Sequence, residues 1–335
     1  MLVSDIGEKG LLERLHRFCP PEIIGDDAAC IPWDAPESAH LVVTTDVLVD
    51  GVHFSDATTT AADAGWRAAA ANLSDLAAMG AIPLGITVGL AVRGDTPVNW
   101  VEGLYEGMAA CLGSYATPIV GGDVVRSPVN TIAITAFGRG NPEMTIRRSN
   151  AQPGDAIVVT GWHGAARAGL ELLLHPEKGA ILSAQTRQNF IQAHRRPRPR
   201  LDVRESLWYV KSSVSSSPLR VAGMDSSDGL ADAICQIAAA SGCGASIERG
   251  LIPMPPALAA WLGAETAIDW ALYGGEDFEL VLCLPPESAR ALVGKLKSPG
   301  AIVGEISADA GVWLRDRTGL YPDQELSLSL GFQHF

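Results

Sequence analysis

The chain has 335 residues, of which 47% are hydrophobic and 19% charged, and its formal net charge is −13. This composition is typical of a globular protein with a sizeable core and excludes a disordered chain. The acidic balance argues against a nucleic-acid partner, which needs a basic surface. The basic run at 194–200 is better explained as a loop that forms salt bridges with its own acidic protein.

Apolar runs typical of strands alternate along the chain with runs of helical periodicity. Strands are predicted at 40–49, 84–92, 117–121, 130–138, 156–160, 278–284 and 301–303. Helices are predicted at 61–79, 97–112, 164–174, 183–194, 228–240 and 286–297. In the first helix Trp66, Ala69, Leu73 and Leu76 form an apolar stripe, and Gly80 is placed to end it. The alternation predicts mixed sheets covered by helices, in an α/β or α+β protein.

A segment near 140–155 is rich in turn-forming residues and is the best candidate for a domain boundary. We therefore expect an N-terminal α/β domain over 1–145 and a C-terminal α/β domain over 146–335. The serine-rich segment 212–218 predicts a flexible loop in the second domain.

No stretch has the roughly 20 uninterrupted apolar residues of a membrane-spanning helix. The N-terminal residues also lack the apolar core of a signal peptide. We therefore expect a cytoplasmic protein without a membrane partner.

Acidic residues recur beside predicted strand ends and helix starts. The segments are GDDAA (25–29), TTDVLVDG (44–51), NLSDLAAMG (72–80), GGDVVR (121–126), MDSSDGL (224–230) and GGEDFEL (274–280). Each alone is routine capping or turn chemistry. Together with neighbouring threonine and serine hydroxyls, they are the oxygen ligands that a hard cation prefers.

The adjacent carboxylates Asp26 and Asp27 repel each other unless a positive charge lies beside them. Neither G-x-x-x-x-G-K-[ST] nor G-x-G-x-x-G occurs in a suitable context. The pattern therefore predicts a magnesium–nucleotide site in which aspartates hold ATP phosphates through metal ions, helped by the backbone of Gly121 and Gly122 and a few arginines. We expect Asp27 to bind the cation and Asp26 to support the turn.

These segments, in this order, resemble the thiamine-monophosphate kinase family, within the superfamily of aminoimidazole ribonucleotide synthetase and selenophosphate synthetase. The resemblance covers nearly the whole chain and includes TTDVLVDGVHF (44–54), RSNAQPGD (148–155), HRRPRPR (194–200) and the C-terminal GFQHF (331–335). The TTDVLVDGVHF segment, GGED and the final HF favour the thiamine enzymes over the other superfamily members.

The resemblance implies that ATP phosphorylates thiamine monophosphate to thiamine diphosphate with several Mg²⁺ ions. It also implies a homodimer in which the N-terminal sheets of two copies pair into a barrel, with nucleotide and metals in the cleft between the domains. The implied magnesium ligands are Asp27, Thr44, Thr45, Asp46, Asp75, Asp123, Asp225 and Asp228. The implied nucleotide contacts are Tyr105, Gly122, Asp123, Arg148 and Ser227. The implied substrate contacts are His53 and Glu276, with Phe332 as the aromatic wall.

The acceptor in this reaction is a phosphate monoester with a second pKa near 6, so it is mostly ionised at pH 7. We therefore expect no residue to act as a general base, and catalysis by positioning and charge stabilisation. Two alternatives remain open. One is another ATP-dependent synthetase of the superfamily, such as the amidine-forming enzyme of purine synthesis. The other is a non-catalytic nucleotide- or metal-binding regulatory protein.

Overall fold

The computed structural model describes residues 10, 25–32, 39–214, 219–328 and 331, and it contains two β-sheets with their covering helices. The predicted α/β class is confirmed, and both sheets are mixed. Within the described ranges, no helix is long and apolar enough to cross a membrane.

The first sheet is formed by the N-terminal half of the chain. Its strands are β1 (Ala29–Pro32), β2 (His40–Val49), β3 (Ile82–Val92), β4 (Ile119–Arg126) and β5 (Thr131–Gly140). Their order is β1-β2-β5-β3-β4, with all neighbours antiparallel except the parallel pair β3 and β4. Helices α1 (Ala61–Ala78) and α2 (Val98–Gly113) pack with this sheet around one apolar core.

Helix α1 has clear start and stop signals. The Thr60 hydroxyl accepts from the backbone of Asp63, whose carboxylate reaches back to the Thr60 N–H, which is a capping box. Gly80 follows the helix with φ +67°, so its predicted role as the stop is confirmed. Of the predicted stripe, Ala69, Leu73 and Leu76 are buried, and Trp66 is partly buried against the same core.

The two faces of the first sheet differ because side chains alternate along each strand. On β2, Thr44 and Leu48 are buried on the face that packs with α1, while Thr45 and Val47 are exposed on the opposite face. On the edge strand β4, Val125 is 52% exposed. We call this opposite side of the sheet the open face.

The second sheet is formed by the C-terminal half. Its strands are β6 (Ala156–Val159), β7 (Ala222–Asp225), β8 (Gly244–Glu248), β9 (Leu280–Leu284), β10 (Ala301–Ser307), β11 (Val312–Arg315) and β12 (Gln324–Glu325), in the order β12-β11-β8-β10-β6-β9-β7. Its helices are α3 (Ala165–Leu174), α4 (Ala184–Arg195), α5 (Val203–Val214), α6 (Leu230–Ser241), α7 (Pro256–Leu262), α8 (Ala264–Tyr273) and α9 (Pro286–Val293). Short 3₁₀ turns lie at Arg148–Asn150, Pro176–Gly179 and Arg249–Leu251.

The bounds of several predicted elements need correction. The strand expected over 117–121 is β4, which runs to Arg126, and the strand expected over 301–303 is β10, which runs to Ser307. The serine-rich segment was expected to be a loop from 212, but residues 212–214 belong to α5, and 215–218 lie outside the described residues. The helix expected over 286–297 ends at Val293, where Gly294 follows as the cap.

The basic run at 194–200 connects the two halves. Arg195 and Arg196 both approach the carboxylate of Asp63 on α1, and Arg200 pairs with Asp202 and Glu279. The prediction that this run neutralises acidic groups of its own chain is confirmed.

Candidate active site

A cleft of about 900 Å³ lies between the two halves of the chain. One end is acidic, with Asp46 and Asp75 from the first half and Asp225 and Asp228 from the second. The other end contains His53, Glu276, Trp270, Tyr273 and Phe278. The cleft therefore offers oxygen ligands at one end and a mixed polar and aromatic surface at the other.

Four aspartates from four segments, Asp27, Asp46, Asp75 and Asp225, influence each other's ionisation, and we call them the acidic cluster. Asp27 precedes β1, Asp46 lies on the helix-facing side of β2, Asp75 lies in the last turn of α1, and Asp225 ends β7. The cluster exists because α1 packs beside both β2 and β7.

Hydroxyl groups hold two of these carboxylates. Thr44 donates to Asp75, and its hydroxyl also lies 3.3 Å from the carbonyl of Asp27. Ser74 donates to Asp225 Oδ2 at 2.5 Å, and Ser227 donates to Oδ1 of the same residue at 2.8 Å. These bonds fix the direction in which the carboxylates point.

The surroundings of these carboxyl groups disfavour their ionised forms and raise their pKa values. Burial raises the pKa of Asp27 to about 7, although Arg148 beside it acts in the opposite direction. Burial and the charge of Asp225 raise the pKa of Asp46 to about 6. Burial and the charges of Asp46, Asp225 and Asp27 raise the pKa of Asp75 well above its usual value. A cation near these groups would remove this cost.

The donor set fits a hard cation. Asp27 Oδ2 is buried and has no hydrogen-bond partner within the described part of the chain, so it is available as a ligand. Among the described residues, no three histidine, cysteine or acidic side chains form a group that could hold a metal ion on its own. Magnesium suits this arrangement because it is usually held by one or two carboxylates, with water and substrate phosphates completing its shell.

Two arginines neutralise the adjacent aspartates Asp26 and Asp27. Arg147 Nη1 donates to Asp26 Oδ2 at 2.9 Å, and the backbone N–H of Arg148 donates to Asp26 Oδ1 at 2.8 Å. The Arg148 guanidinium pairs with Asp27 and donates to Gln236 Oε1 at 2.6 Å. The sequence analysis anticipated a metal ion beside these carboxylates and named Arg148 as a nucleotide contact. It did not predict that Arg147 and Arg148, about 120 residues later in the chain, pair with Asp26 and Asp27.

Four predicted residues are not brought to the acidic cluster within one chain. Thr45 lies on the open face, where its hydroxyl is 2.9 Å from that of Thr135. Asp123 lies opposite Gly89 of the neighbouring strand β3. The residues on either side of Gly89, Val88 and Leu90, are buried on the covered face, so Gly89 and Asp123 both point to the open face. The other two are Gly122, on the edge strand β4, and Tyr105, which packs against the first core.

His53 lies in the turn after β2 and lines the cleft. Its Nδ1 accepts a hydrogen bond from the backbone N–H of Val49 at 3.1 Å. The neutral ring therefore carries its proton on Nε2.

Glu276 lies in the loop after α8 with φ +61° and also lines the cleft. Burial alone would raise its pKa, but the charge of Arg67 and the contact with His194 hold the pKa at about 2. The side chain is therefore ionised throughout the physiological range. The next residue, Asp277, accepts from the backbone N–H groups of Gly164 and Ala166 at the start of α3, at 2.6 and 2.9 Å.

The sequence analysis missed Arg67, His194 and the aromatic residues Trp270 and Tyr273 of the cleft. Arg67 carried a usable signal, since it is the one charged residue of the otherwise apolar segment 64–71 of a helix. Phe332, the predicted aromatic wall, lies outside the described residues.

Comparison with known proteins gives a consistent result along the whole chain. Residues 25–140 match the family model of the AIR synthase related protein N-terminal domain, and residues 152–316 match that of the C-terminal domain. The chain is 50% identical over 335 residues to thiamine-monophosphate kinase of Synechococcus elongatus, covering 99% of this chain and 98% of that protein. It is 37% identical over 290 residues to thiamine-monophosphate kinase of Escherichia coli K12, covering 85% of this chain and 84% of that protein. A solved structure, AaThiL complexed with AMPPCP and TMP, superposes with a TM-score of 0.81 at 29% identity, covering 100% and 99% of the two chains.

Proposed function

The chain belongs to the thiamine-monophosphate kinase family, and we propose that ATP phosphorylates thiamine monophosphate to thiamine diphosphate in the cleft described above. The observation that carries this proposal is the 50% identity over the full chain to an enzyme of that name. The chemistry of the cleft agrees with it, because one end suits metal-bound phosphates and the other suits an organic substrate.

The proposed ligands of magnesium at the acidic end are Asp27, Thr44, Asp46, Asp75, Asp225 and Asp228. Thr45 and Asp123 are also proposed ligands, but they lie on the open face and would reach a metal ion only across a dimer. Bound magnesium would neutralise the phosphates of both substrates and stabilise charge on the transferred phosphoryl group. The chain's own contribution is to hold the carboxylates in place, as Thr44, Ser74 and Ser227 do by hydrogen bonds. The orphaned oxygen of Asp27 supports its assignment as a ligand.

Arg148 and Ser227 are the proposed nucleotide contacts within the same chain. Arg148 is tied to Asp27 and Gln236, so its guanidinium lies beside the proposed metal site. Ser227 lines the cleft between Asp225 and Asp228. A guanidinium in this position suits bidentate binding of a phosphate group.

At the other end, His53 and Glu276 are the proposed contacts of thiamine monophosphate. The proton on His53 Nε2 suits donation to a phosphate oxygen. The carboxylate of Glu276 suits the positively charged thiazolium ring. Phe332 remains the proposed aromatic wall, and Trp270 and Tyr273 line the same end of the cleft. No residue is required to act as a general base, because the acceptor phosphate is mostly ionised at neutral pH.

We further propose a cytoplasmic homodimer with domains over 1–145 and 146–335. The open face supports the dimer, because it leaves the apolar side chains of Val47 and Val125 exposed and a second copy would cover them. Pairing of two open faces would also give a role to Thr45 and Asp123, which lie on that face and away from the acidic cluster of their own chain. Gly122 and Tyr105 remain proposed nucleotide contacts.

The test is formation of thiamine diphosphate, followed by chromatography, from purified protein with ATP, magnesium and thiamine monophosphate. Free thiamine in place of the monophosphate, and a chelator, are the substrate and metal controls. Asp225→Asn should abolish product, while Asp309→Asn at an exposed position should not. Absence of product from the unaltered protein, with ATP still bound, would favour a different acceptor and one of the superfamily's other synthetases. Binding of ATP without any turnover would favour a regulatory protein.

A further inference from the structure

We propose that Arg67 is a positioning residue that joins the two substrate contacts, His53 and Glu276, into one rigid pocket and thereby sets the affinity for thiamine monophosphate but not for ATP. This inference rests on the proposed function of the cleft. Arg67 is only 3% exposed. It lies on α1, the helix that also carries Asp75 of the acidic cluster. A buried guanidinium is costly unless it is bonded, so its partners are informative.

The partners of Arg67 come from three segments that meet at the cleft. Its Nη2 pairs with the carboxylate of Glu276 and lies 3.4 Å from the backbone carbonyl of His53. Its Nη1 donates to the backbone carbonyl of His194, at the end of α4. One side chain from the N-terminal half thus touches a turn of its own half and two segments of the other.

Glu276 is fixed at both ends. Its backbone N–H donates to the carbonyl of Ser227 at 2.6 Å, which ties the loop to the Asp225–Asp228 segment. Its carboxylate is held by Arg67, and its other oxygen lies 3.4 Å from His194 Nδ1. The positive φ of Glu276 is an unfavourable conformation for a non-glycine residue, and such conformations persist where the surroundings impose them.

The charges explain why the effect should be specific to one substrate. Arg67 and Glu276 neutralise each other, so this end of the cleft carries no large net charge from the pair. Without Arg67, Glu276 would be an uncompensated anion with a free side chain, and His53 would lose a backbone contact. ATP is proposed to bind through the acidic cluster and Arg148, whereas the contacts of Arg67 described above are with Glu276, His53 and His194.

The test compares Arg67→Lys with Arg200→Lys by steady-state kinetics. Lysine keeps the positive charge but cannot form the forked contacts of a guanidinium. Arg200 is a matched control, because it is also 3% exposed and, like Arg67, bonds both carboxylates and backbone carbonyls (two acids and one carbonyl, against one acid and two carbonyls), yet it does not line the cleft. We expect Arg67→Lys to raise the KM for thiamine monophosphate about tenfold while the KM for ATP stays within about twofold. Arg200→Lys should lower the melting temperature without separating the two KM values.

Equal changes in both KM values, or none, in folded Arg67→Lys protein would overturn the proposal. If that variant does not fold, Arg67→Gln provides the same test, since the shorter amide can keep one hydrogen bond but cannot reach Glu276 and the carbonyls of His53 and His194 together. In the double variant Arg67→Lys/Glu276→Asp the two effects on the KM for thiamine monophosphate should not add, because both changes remove one interaction. The unaltered protein, measured in parallel, separates the two hypotheses. If it makes no thiamine diphosphate, the proposed function fails. If it does but the variants show no KM split, only the role of Arg67 fails.

Discussion

Asp46→Asn should stabilise the metal-free protein and abolish its activity. Asp46 lies on β2 facing the acidic cluster, and burial together with the charge of Asp225 raises its pKa from 3.8 to about 6. At about 1.4 kcal/mol per pKa unit, its ionised form costs at most about 3 kcal/mol of folding free energy. Asparagine has nearly the same shape and carries no charge, so it should recover most of that cost.

The sign of the pH dependence follows from the raised pKa. Well below pH 3.8 the carboxyl is protonated in both folded and unfolded protein, so it has no effect on stability. As the pH rises from 4 to beyond 6, the unfolded chain releases the proton more readily than the folded one, and stability falls. The advantage of Asp46→Asn should therefore be largest at pH 8, about half as large at pH 5, and about a fifth as large at pH 4.

The assay is thermal unfolding between pH 4 and 8 in chelator, and again with magnesium and ATP. In chelator at pH 8 we expect the variant to melt roughly 5 °C higher than the unaltered protein. With magnesium and ATP the order should reverse, because ligand binding stabilises the protein that holds the metal. Asp56→Asn, at an exposed position, is the matched control and should change stability by less than about 0.5 kcal/mol. A variant that melts lower than the unaltered protein in chelator at pH 8 would refute the reasoning that the carboxylates repel one another.

Two further predictions concern the fold and the assembly. Gly107→Ala should destabilise the protein by about 1–3 kcal/mol in denaturant titration, because a Cβ there would lie 1.8 Å from the carbonyl oxygen of Ala62 on α1. Gly103→Ala on the same helix is the control, because the nearest atom to its added Cβ would be 3.4 Å away, and it should be neutral or stabilising by about 0.5–1 kcal/mol. Equal effects of the two changes on stability would contradict the close contact of α1 and α2. Val125→Glu on the open face should convert a dimer to a monomer in light scattering and reduce turnover, whereas Val98→Glu, at the start of α2, should leave the dimer intact. A monomeric unaltered protein would contradict the dimer.

The elements with strong periodicity were predicted well from the sequence. The strand predicted at 40–49 is β2, and the helix predicted at 61–79 is α1 within one residue, because an apolar stripe, a capping residue and a terminating glycine agree there. Helices α5, α7 and α8 and strands β1, β8, β11 and β12 were missed. Their segments are short or mixed in polarity, and the three helices and strands β8 and β11 are fixed by packing in the apolar clusters of the C-terminal half.

The acidic residues of the candidate site could be found in the sequence because carboxylates and hydroxyls recur at element ends. Their grouping could not be found in this way, because it depends on which face of each strand is covered. Thr44 and Thr45 are adjacent in the chain, yet the alternation of β2 sends one to Asp75 and the other to the open face. The same alternation directs Asp46 to the cluster and Asp123 away from it.

The sequence by itself therefore determined the α/β class, the acidic chemistry of the cleft and the family, since these depend on residue types and their order. Only the tertiary structure decided how charges are balanced. Arg147 and Arg148 neutralise Asp26 and Asp27 across about 120 residues, and Arg67 holds Glu276 across 209. Such pairs leave no local pattern, because electrostatic energy depends on distance in space and on burial, and neither is encoded in the spacing of residues along the chain.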